Sequence, residues 1–341
     1  MGQYWKFVNI DRKERLRNTG GLKLWEMLMN GCFEQLVDLL QKPKWIALSS
    51  GTQVQAKSRS DASTLLTLPR EVIDMIVHEL CSDSPESLIC LSLTCAWFFR
   101  LLGLEFQKIL AADSAPWAGH RLIFVGDYAD GLDLGDICTS EELQHFEKCQ
   151  EKWGDNPLYC MPEGIMRTRN EHTDAGGGWY EDGTGANTRR PGDLEELVKE
   201  RLMLNDLSLF NRLANLARRP HLTTGHGAAV LRNLTAKQYV RDKAIAESDY
   251  AYSLGEVVAV FTTWTDDPSG LGGLDAQGLW AGHRFDIATI ADVSEDGWTD
   301  VSELAVENLM KSTEREKKDG KRAGDTLVKD TSDDSSDDDS S

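Results

Sequence analysis

A five-residue sequence occurs twice in this chain without a change, and it constrains the fold more than any other feature. Trp-Ala-Gly-His-Arg occupies residues 117–121 and again residues 280–284, and both are called the WAGHR motif below. An identical sequence that contains Trp and His is improbable by chance, so it indicates an internal repeat. Residues 9–14 and residues 233–238, upstream of the two motifs, also resemble each other. The sequence therefore predicts two related units.

The spacing within the two units predicts an insertion in the first. Asn9 lies 108 residues before Trp117, whereas Asn233 lies only 47 residues before Trp280. The difference of 61 residues corresponds to one small module, and residues 50–110 are the part of the chain that it occupies. We expect an α+β fold in which a small all-helical module is inserted into the first copy of a duplicated α+β unit.

Local patterns predict the main elements around this repeat. A strand is expected after each motif, followed by a helix that begins near residues 139–140 in the first unit and 299–302 in the second. Residues 255–264, Gly-Glu-Val-Val-Ala-Val-Phe-Thr-Thr-Trp, are rich in strand formers and are predicted to form the strongest strand. Apolar spacing over residues 194–216 predicts a helical pair or one broken helix.

These observations give an expected organisation of the chain. In chain order it comprises the first part of unit one (1–48), a linker (49–63), the helical module (64–112), the remainder of unit one (113–150), a connecting region (151–224) with a Gly-rich loop (174–193) and helices, unit two (225–310), and a disordered acidic tail (311–341).

The WAGHR motif has two interpretations. In the first, His120 and His283, each followed by an arginine, serve as acid–base groups of an enzyme or a small-ligand site. In the second, the motif is a structural corner, where Gly permits a tight turn, Trp anchors the core and Arg bonds a carboxylate. A motif that is present in both units fits a structural corner better than one asymmetric active site.

The inserted segment contains two apolar helical patterns. Pro69 suits a first helical turn, and the residues that follow form one apolar stripe at helical spacing: Val72, Ile73, Ile76, Val77 and Leu80. Ser84-Pro85 separates this helix from a second apolar run that starts at Leu88. A helix cluster of this size has little interior. Some of these apolar side chains are therefore expected to pack against a surface outside the cluster.

The inserted segment resembles an F-box. That family pattern is Leu-Pro-x-Glu, an apolar helix, a short break, then Leu-x-x-Leu-x-Leu-x-Cys followed by aromatic and basic residues. The matching residues are Leu68, Pro69, Glu71, Leu88, Leu91, Leu93, Cys95, Phe98 and Arg100. The chain as a whole is similar in layout to F-box-like proteins of filamentous fungi.

The resemblance implies a substrate receptor without catalysis or a cofactor. Such a receptor docks on the SKP adaptor of a cullin-RING ubiquitin ligase and binds a target protein through its α+β body. By this resemblance the adaptor contacts are Leu68, Pro69, Val72, Ile76, Leu88, Leu91 and Leu93. Two alternatives stay open: an enzyme or small-ligand-binding protein built on the duplicated body, and a scaffold whose helices merely pack on that body.

The charge balance excludes several classes of partner. The chain has 37 Lys and Arg against 56 Asp and Glu, a net charge of −19. Nucleic acids and anionic membranes both attract basic surfaces, so neither is an expected partner. The seven cysteines are odd in number, in a long chain with no secretory signal before them, so we expect no disulfide framework. They contain no C-x-x-C pair and no known zinc spacing, so we expect no metal site. The opening residues lack the apolar run of a secretory signal, so we expect a cytoplasmic or nuclear protein.

The end of the chain is strongly acidic. Residues 330–341 contain six Asp and no Lys or Arg. Thr331, Ser335 and Ser336 are each followed three residues later by Asp, a pattern that suits an acidophilic kinase. Phosphorylation at these three positions is a hypothesis, and a purely solubilising tail is the alternative.

Overall fold

A computed structural model describes most of both units and most of the inserted module. The described residues are 3–16, 23–29, 33–42, 64–129, 134–135, 137–144, 148, 158, 180–181, 187–188, 193–218, 229–248, 252–268, 271, 273–293 and 297–311. The expected linker, almost all of the Gly-rich loop and the acidic tail with its three candidate phosphorylation positions lie outside them.

Ten strands and eleven helices are assigned in the described residues. The strands are β1 (Trp5–Asn9), β2 (Glu14–Arg15), β3 (His120–Gly126), β4 (Tyr180–Glu181), β5 (Asn187–Thr188), β6 (Ala229–Asn233), β7 (Gln238–Arg241), β8 (Thr263–Trp264), β9 (Arg284–Thr289) and β10 (Thr299–Asp300). The helices are α1 (Leu24–Met29), α2 (Glu34–Leu40), α3 (Arg70–Asp83), α4 (Pro85–Thr94), α5 (Ala96–Ser114), α6 (140–144), α7 (Asp193–Arg201), α8 (Leu204–Arg218), α9 (Asp242–Ala246), α10 (Leu254–Phe261) and α11 (302–311). The α+β class is confirmed.

The main sheet has at its centre six strands that are arranged symmetrically about the β9–β3 contact. Its strand order is β10-β7-β6-β9-β3-β1-β2, and β8 pairs with β3 in parallel. On each side of the β9–β3 contact lies a hairpin, β1–β2 in the first unit and β6–β7 in the second. The inner strand of each hairpin pairs antiparallel with the strand after a WAGHR motif. The strand arrangements of the two units therefore match, as the internal repeat predicts.

Both faces of the sheet are buried in the first unit. Trp5, Phe7 and Phe124 lie on one face, within a large core that includes residues of α1, α2, α10 and α11. Ile123 and Val125 lie on the other face, in a separate cluster with residues of the segment that contains α6. Alternate residues of β3 point to opposite faces, so one strand serves two cores.

Helices α3, α4 and α5 lie between α2 and the first WAGHR motif in chain order, in the part of the chain expected for the helical module. The predicted helical pair at 194–216 is confirmed, as α7 and α8. These two helices pack against α4 and α5, and the shared apolar cluster joins Phe99 and Phe106 of α5 to Val198 of α7 and Phe210 of α8. A second cluster lies between α3, α4 and α5. The inserted helices are thus partly covered by the chain's own later helices.

The predicted strand over 255–264 is wrong for most of its length. Residues 254–261 form helix α10, and only Thr263–Trp264 is a strand. Ser253 begins the helix with a capping box, in which its hydroxyl oxygen accepts from the backbone N–H of Gly255 and its own N–H donates to Glu256. Every residue of α10 is buried, so the segment has no polar face to reveal its helical period.

Two further properties concern the described residues alone. None of their helices is both long enough and apolar enough to cross a membrane. The thiols of Cys81, Cys90, Cys95 and Cys138 are free.

Candidate functional site

An exposed apolar surface lies on the first two turns of α3, where the F-box-like sequence begins. Pro69 and Val72 are exposed, and Ile76 is half-buried. Met75 is 72% exposed, although it lies between these apolar neighbours on the same side of the helix. We call Pro69, Val72, Met75 and Ile76 the α3 face. An apolar cluster that remains exposed on a folded helix is typical of a docking surface.

The opposite side of α3 is packed against its own module. Ile73 is buried with Leu88 of α4 and Phe98 of α5, and Val77 lies against the same cluster. Because Ile73 and Val77, four residues apart, both face inward, this packing fixes the rotation of α3 about its axis and leaves the α3 face outward. Arg70 and Asp74 form an exposed ion pair of 2.8 Å within the same helix.

The seven residues expected to contact an adaptor fall into three groups. Pro69, Val72 and Ile76 belong to the α3 face. Leu68 and Leu91 are half-buried and pack against the cluster between α3, α4 and α5. Leu88 and Leu93 are 0% and 2% exposed, so in this fold they support the module from inside and present no surface to a partner.

Met75 is the residue of this face that the sequence pattern did not single out. It falls outside the predicted apolar stripe, whose residues are divided between the inner side of α3 (Ile73 and Val77) and the α3 face (Val72 and Ile76). The available signal was its spacing of three residues from Val72, which places both on one side of the helix.

An ion-pair cluster fixes α7 to the turn between α3 and α4. Glu86, buried in the first turn of α4, accepts from Arg201 at the end of α7 over 3.2 Å. The same guanidinium donates to the hydroxyls of Ser84 and Ser87. A carboxylate in the first turn also suits the positive end of the helix dipole. The module that carries the α3 face is therefore held by polar as well as apolar contacts.

The WAGHR motifs form equivalent corners in the two units. The indole N–H of Trp117 donates to Glu14 at 2.6 Å, and that of Trp280 donates to Gln238 at 2.8 Å. Glu14 and Gln238 begin the second strand of their respective hairpins. Each tryptophan thereby joins the corner of its unit to the hairpin of the same unit.

The glycines of the two motifs exchange backbone hydrogen bonds between the units. The N–H of Gly119 donates to the carbonyl of Phe285 at 2.6 Å, and that of Gly282 donates to Leu122 at 2.8 Å. Both glycines have positive φ, +83° and +74°, which a residue with a Cβ adopts only at a cost. The two units are therefore joined by their corners.

Each motif histidine is held by a buried asparagine. The Nδ1 atom of His120 lies 3.0 Å from Asn9 Nδ2, and that of His283 lies 2.9 Å from Asn233 Nδ2. The Oδ1 atoms of both asparagines already accept backbone N–H groups of their hairpin turns, so the amide nitrogens face the imidazoles. Both Nδ1 atoms must therefore accept, and both histidines are neutral in this arrangement.

The motif arginines face each other across the β3–β9 contact, and one carboxylate joins them. Arg121 and Arg284 are directly paired in register. Asp11 accepts from Arg121 Nε at 2.7 Å and from Arg284 Nη1 at 2.6 Å, which offsets the repulsion between the two cations. Burial alone raises the pKa of Asp11, but the hydrogen bonds and charge of Arg121, with Arg284, lower it overall.

These contacts assign every polar side chain of the motifs a structural partner. Glu142 of α6 also binds Arg121, and this interaction lowers the pKa of the Glu142 carboxyl. The indole, the Nδ1 atom and the guanidinium are all occupied by neighbouring side chains. These contacts explain why the motif contains Trp, Gly, His and Arg. Together they join the strand that follows each motif to the hairpin of its own unit and to the other unit.

The Asn–His pairs predict a loss of stability in mild acid. Burial lowers the pKa of both histidines, and for His120 the charge of Arg12 adds to the effect. Below pH about 6.5 the unfolded chain takes up protons that the folded chain resists. The free energy of unfolding should therefore fall from that pH down to the folded pKa values, by up to about 2.7 kcal/mol per pH unit for two histidines.

Urea denaturation at several pH values between 7.5 and 5.5 measures this slope. The matched control is the double variant His120→Gln/His283→Gln, whose amide oxygens can accept from the asparagines but do not titrate. The control should show a flatter profile. An equal slope in both proteins would show that other groups produce the acid sensitivity.

Comparisons of the chain with models of protein families, with curated proteins and with solved structures found no match.

Proposed function

We propose that this chain is an F-box-type substrate receptor that docks on the SKP adaptor of a cullin-RING ubiquitin ligase. The proposal rests on the α3 face, which lies where the Leu-Pro-x-Glu sequence begins a helix. An amphipathic helix with apolar anchors on one side is suited to a groove on a helical partner. Pro69, Val72, Met75 and Ile76, at i, i+3, i+6 and i+7, supply such anchors on α3.

In this proposal the rest of the chain has a non-catalytic role. The packed clusters hold the α3 face on a firm module, and the duplicated α+β body provides the surface for a target protein. The ligase complex places the receptor in the cytoplasm or the nucleus. The polar side chains of the WAGHR motifs are bonded to neighbouring side chains of the fold. This role gives less support to an enzyme or a small-ligand site built on His120 and His283.

Co-purification with the adaptor tests the proposal. The double variant Val72→Asp/Met75→Asp places two charges on the α3 face and should reduce adaptor recovery about 30-fold or more, since each interface hot spot contributes about 2 kcal/mol. Both side chains are exposed in the free chain, so the fold should be retained. Circular dichroism and thermal unfolding check this point.

The matched control is Met203→Asp/Leu204→Asp. These two side chains are 76% and 85% exposed, but they lie at the turn between α7 and α8. The control should bind the adaptor as the wild type does. Equal recovery of all three proteins, or no recovery of the wild type, would overturn the proposal. Failure of the wild type to bind would favour the scaffold alternative.

A further inference from the structure

A set of basic side chains lies on the hairpin turns and the WAGHR corners of the two units. Arg12, Lys13 and Lys237 are exposed in the hairpin turns, Arg284 is exposed in the second motif, and Arg121 of the first motif is half-buried. We call these five residues the junction ridge. Asp11 joins Arg121 and Arg284, and Arg12 lies close enough to His120 to lower its pKa. The ridge is a concentration of positive charge on a chain whose net charge is −19.

The carboxylates nearby neutralise the arginines of this ridge but not its lysines. Asp11 and Glu142 pair with the motif arginines, and Glu14 pairs with Arg12 at 2.8 Å. Within the described part of the chain, Lys13 and Lys237 have no ion pair. Two lysines are therefore left available to an anionic partner.

These two lysines occupy equivalent positions in the hairpins. Both adopt left-handed backbone angles, with φ of 54° at Lys13 and 53° at Lys237. Glycine and asparagine are the usual residues at such positions, because a longer side chain adopts this conformation at a cost. The same strained lysine in both units indicates that its side chain, and not its backbone, is what the position requires.

We propose that the junction ridge binds the acidic end of this chain, residues 330–341. That segment carries six Asp and no Lys or Arg, so its charge complements the ridge. Acid–base pairs at an exposed surface are individually weak, but a tethered segment acts at a high effective concentration. Phosphates on Thr331, Ser335 and Ser336 would each add about −1.5 to −2 charges and strengthen the contact.

The chain that connects the tail to the ridge is long enough. Strand β10 pairs with β7 beside the ridge, where the N–H of Thr299 donates to the carbonyl of Lys237 at 3.0 Å. Helix α11 then carries the chain about 15 Å further. Residues 312–329 can span at most about 60 Å when extended, several times the distance they need to cover. The proposal is independent of adaptor docking.

Carbodiimide cross-linking of the full chain tests this contact, because the reagent joins a carboxylate directly to a lysine amine. Mass spectrometry should find Asp residues of 330–341 joined to Lys13 and Lys237. The control is Lys243, an exposed lysine on α9. The ridge lysines should give about fivefold more product than Lys243, and about 0.5 M salt should remove the difference, because salt screens exposed charges.

A second measurement does not depend on the cross-linked carboxylates. In a full-length variant with Asp333, Asp334, Asp337, Asp338 and Asp339 changed to Asn, acetylation of Lys13 and Lys237 should become faster, while that of Lys243 should not change. Even cross-linking of all exposed lysines, products that join two chains, or unchanged acetylation would each overturn the proposal. Products between two chains would assign the ridge to the tail of a second copy.

Discussion

Replacing Asp286 by Ala should lower the free energy of unfolding by about 3–5 kcal/mol, because it leaves a buried cation without its partner. Asp286 is fully buried on β9 and is paired in register with Arg232 of β6. Its two oxygens accept from Arg232 Nε at 2.7 Å and Nη2 at 2.8 Å. Lys42, which follows α2, adds a third contact.

This carboxylate therefore joins a helix end to two strands of the second unit. Urea denaturation followed by circular dichroism measures the loss. The matched control is Glu247→Ala, which removes an exposed ion pair with Lys243 within α9 and should cost no more than about 0.5 kcal/mol. A loss below about 1 kcal/mol for Asp286→Ala would show that the buried pairs contribute little beyond their own desolvation.

The equivalent glycines of the two motifs should respond differently to the same substitution. A Cβ at Gly282 would lie 2.5 Å from Ile137 Cγ2, whereas a Cβ at Gly119 would meet nothing within 4 Å. Both positions have positive φ, so Gly119→Ala should cost about 1–2 kcal/mol for backbone strain alone. Gly282→Ala should cost about 1–3 kcal/mol more, because overpacking is added.

The comparison carries its own control, since the two glycines share a motif and a backbone conformation. The change Ile137→Ala removes the atom that the new Cβ would meet. In that background the extra cost of Gly282→Ala over Gly119→Ala should disappear. Equal losses for the two glycines in the otherwise unchanged chain would show that the contact with Ile137 relaxes without a penalty.

Several features of the fold could be predicted because their causes are local. Identical motifs require similar surroundings, so the repeat predicted the matching hairpins. The helix α6 begins at Thr139, whose hydroxyl and backbone bond Glu142, and such a box is readable in sequence. The helix α10 was missed although Ser253 and Glu256 form the same kind of box, because a continuous apolar run carries no periodicity.

The candidate site could be predicted in its position but not in its orientation. The spacing of apolar residues predicted α3 and one apolar stripe, but not which residues of that stripe face inward. Which side of α4 is covered depends on α7 and α8, which begin about 100 residues later in the chain. Nothing local to Leu93 distinguishes a contact with a partner from a contact with these distant helices, so its burial could not be read from the sequence. Leu88 is buried instead in the cluster between α3, α4 and α5.

The carboxylate of Asp11 makes the two halves of this molecule interdependent. It bonds an arginine from each WAGHR motif, whereas the matching position in the second unit is Thr235, whose hydroxyl accepts only the backbone N–H of Arg284. The strands that surround the β9–β3 contact are arranged symmetrically, but the carboxylate that bonds both motif arginines belongs to the first unit alone. A substitution at Asp11 would therefore remove a contact from both units, whereas a substitution at Thr235 would remove a contact within the second unit alone.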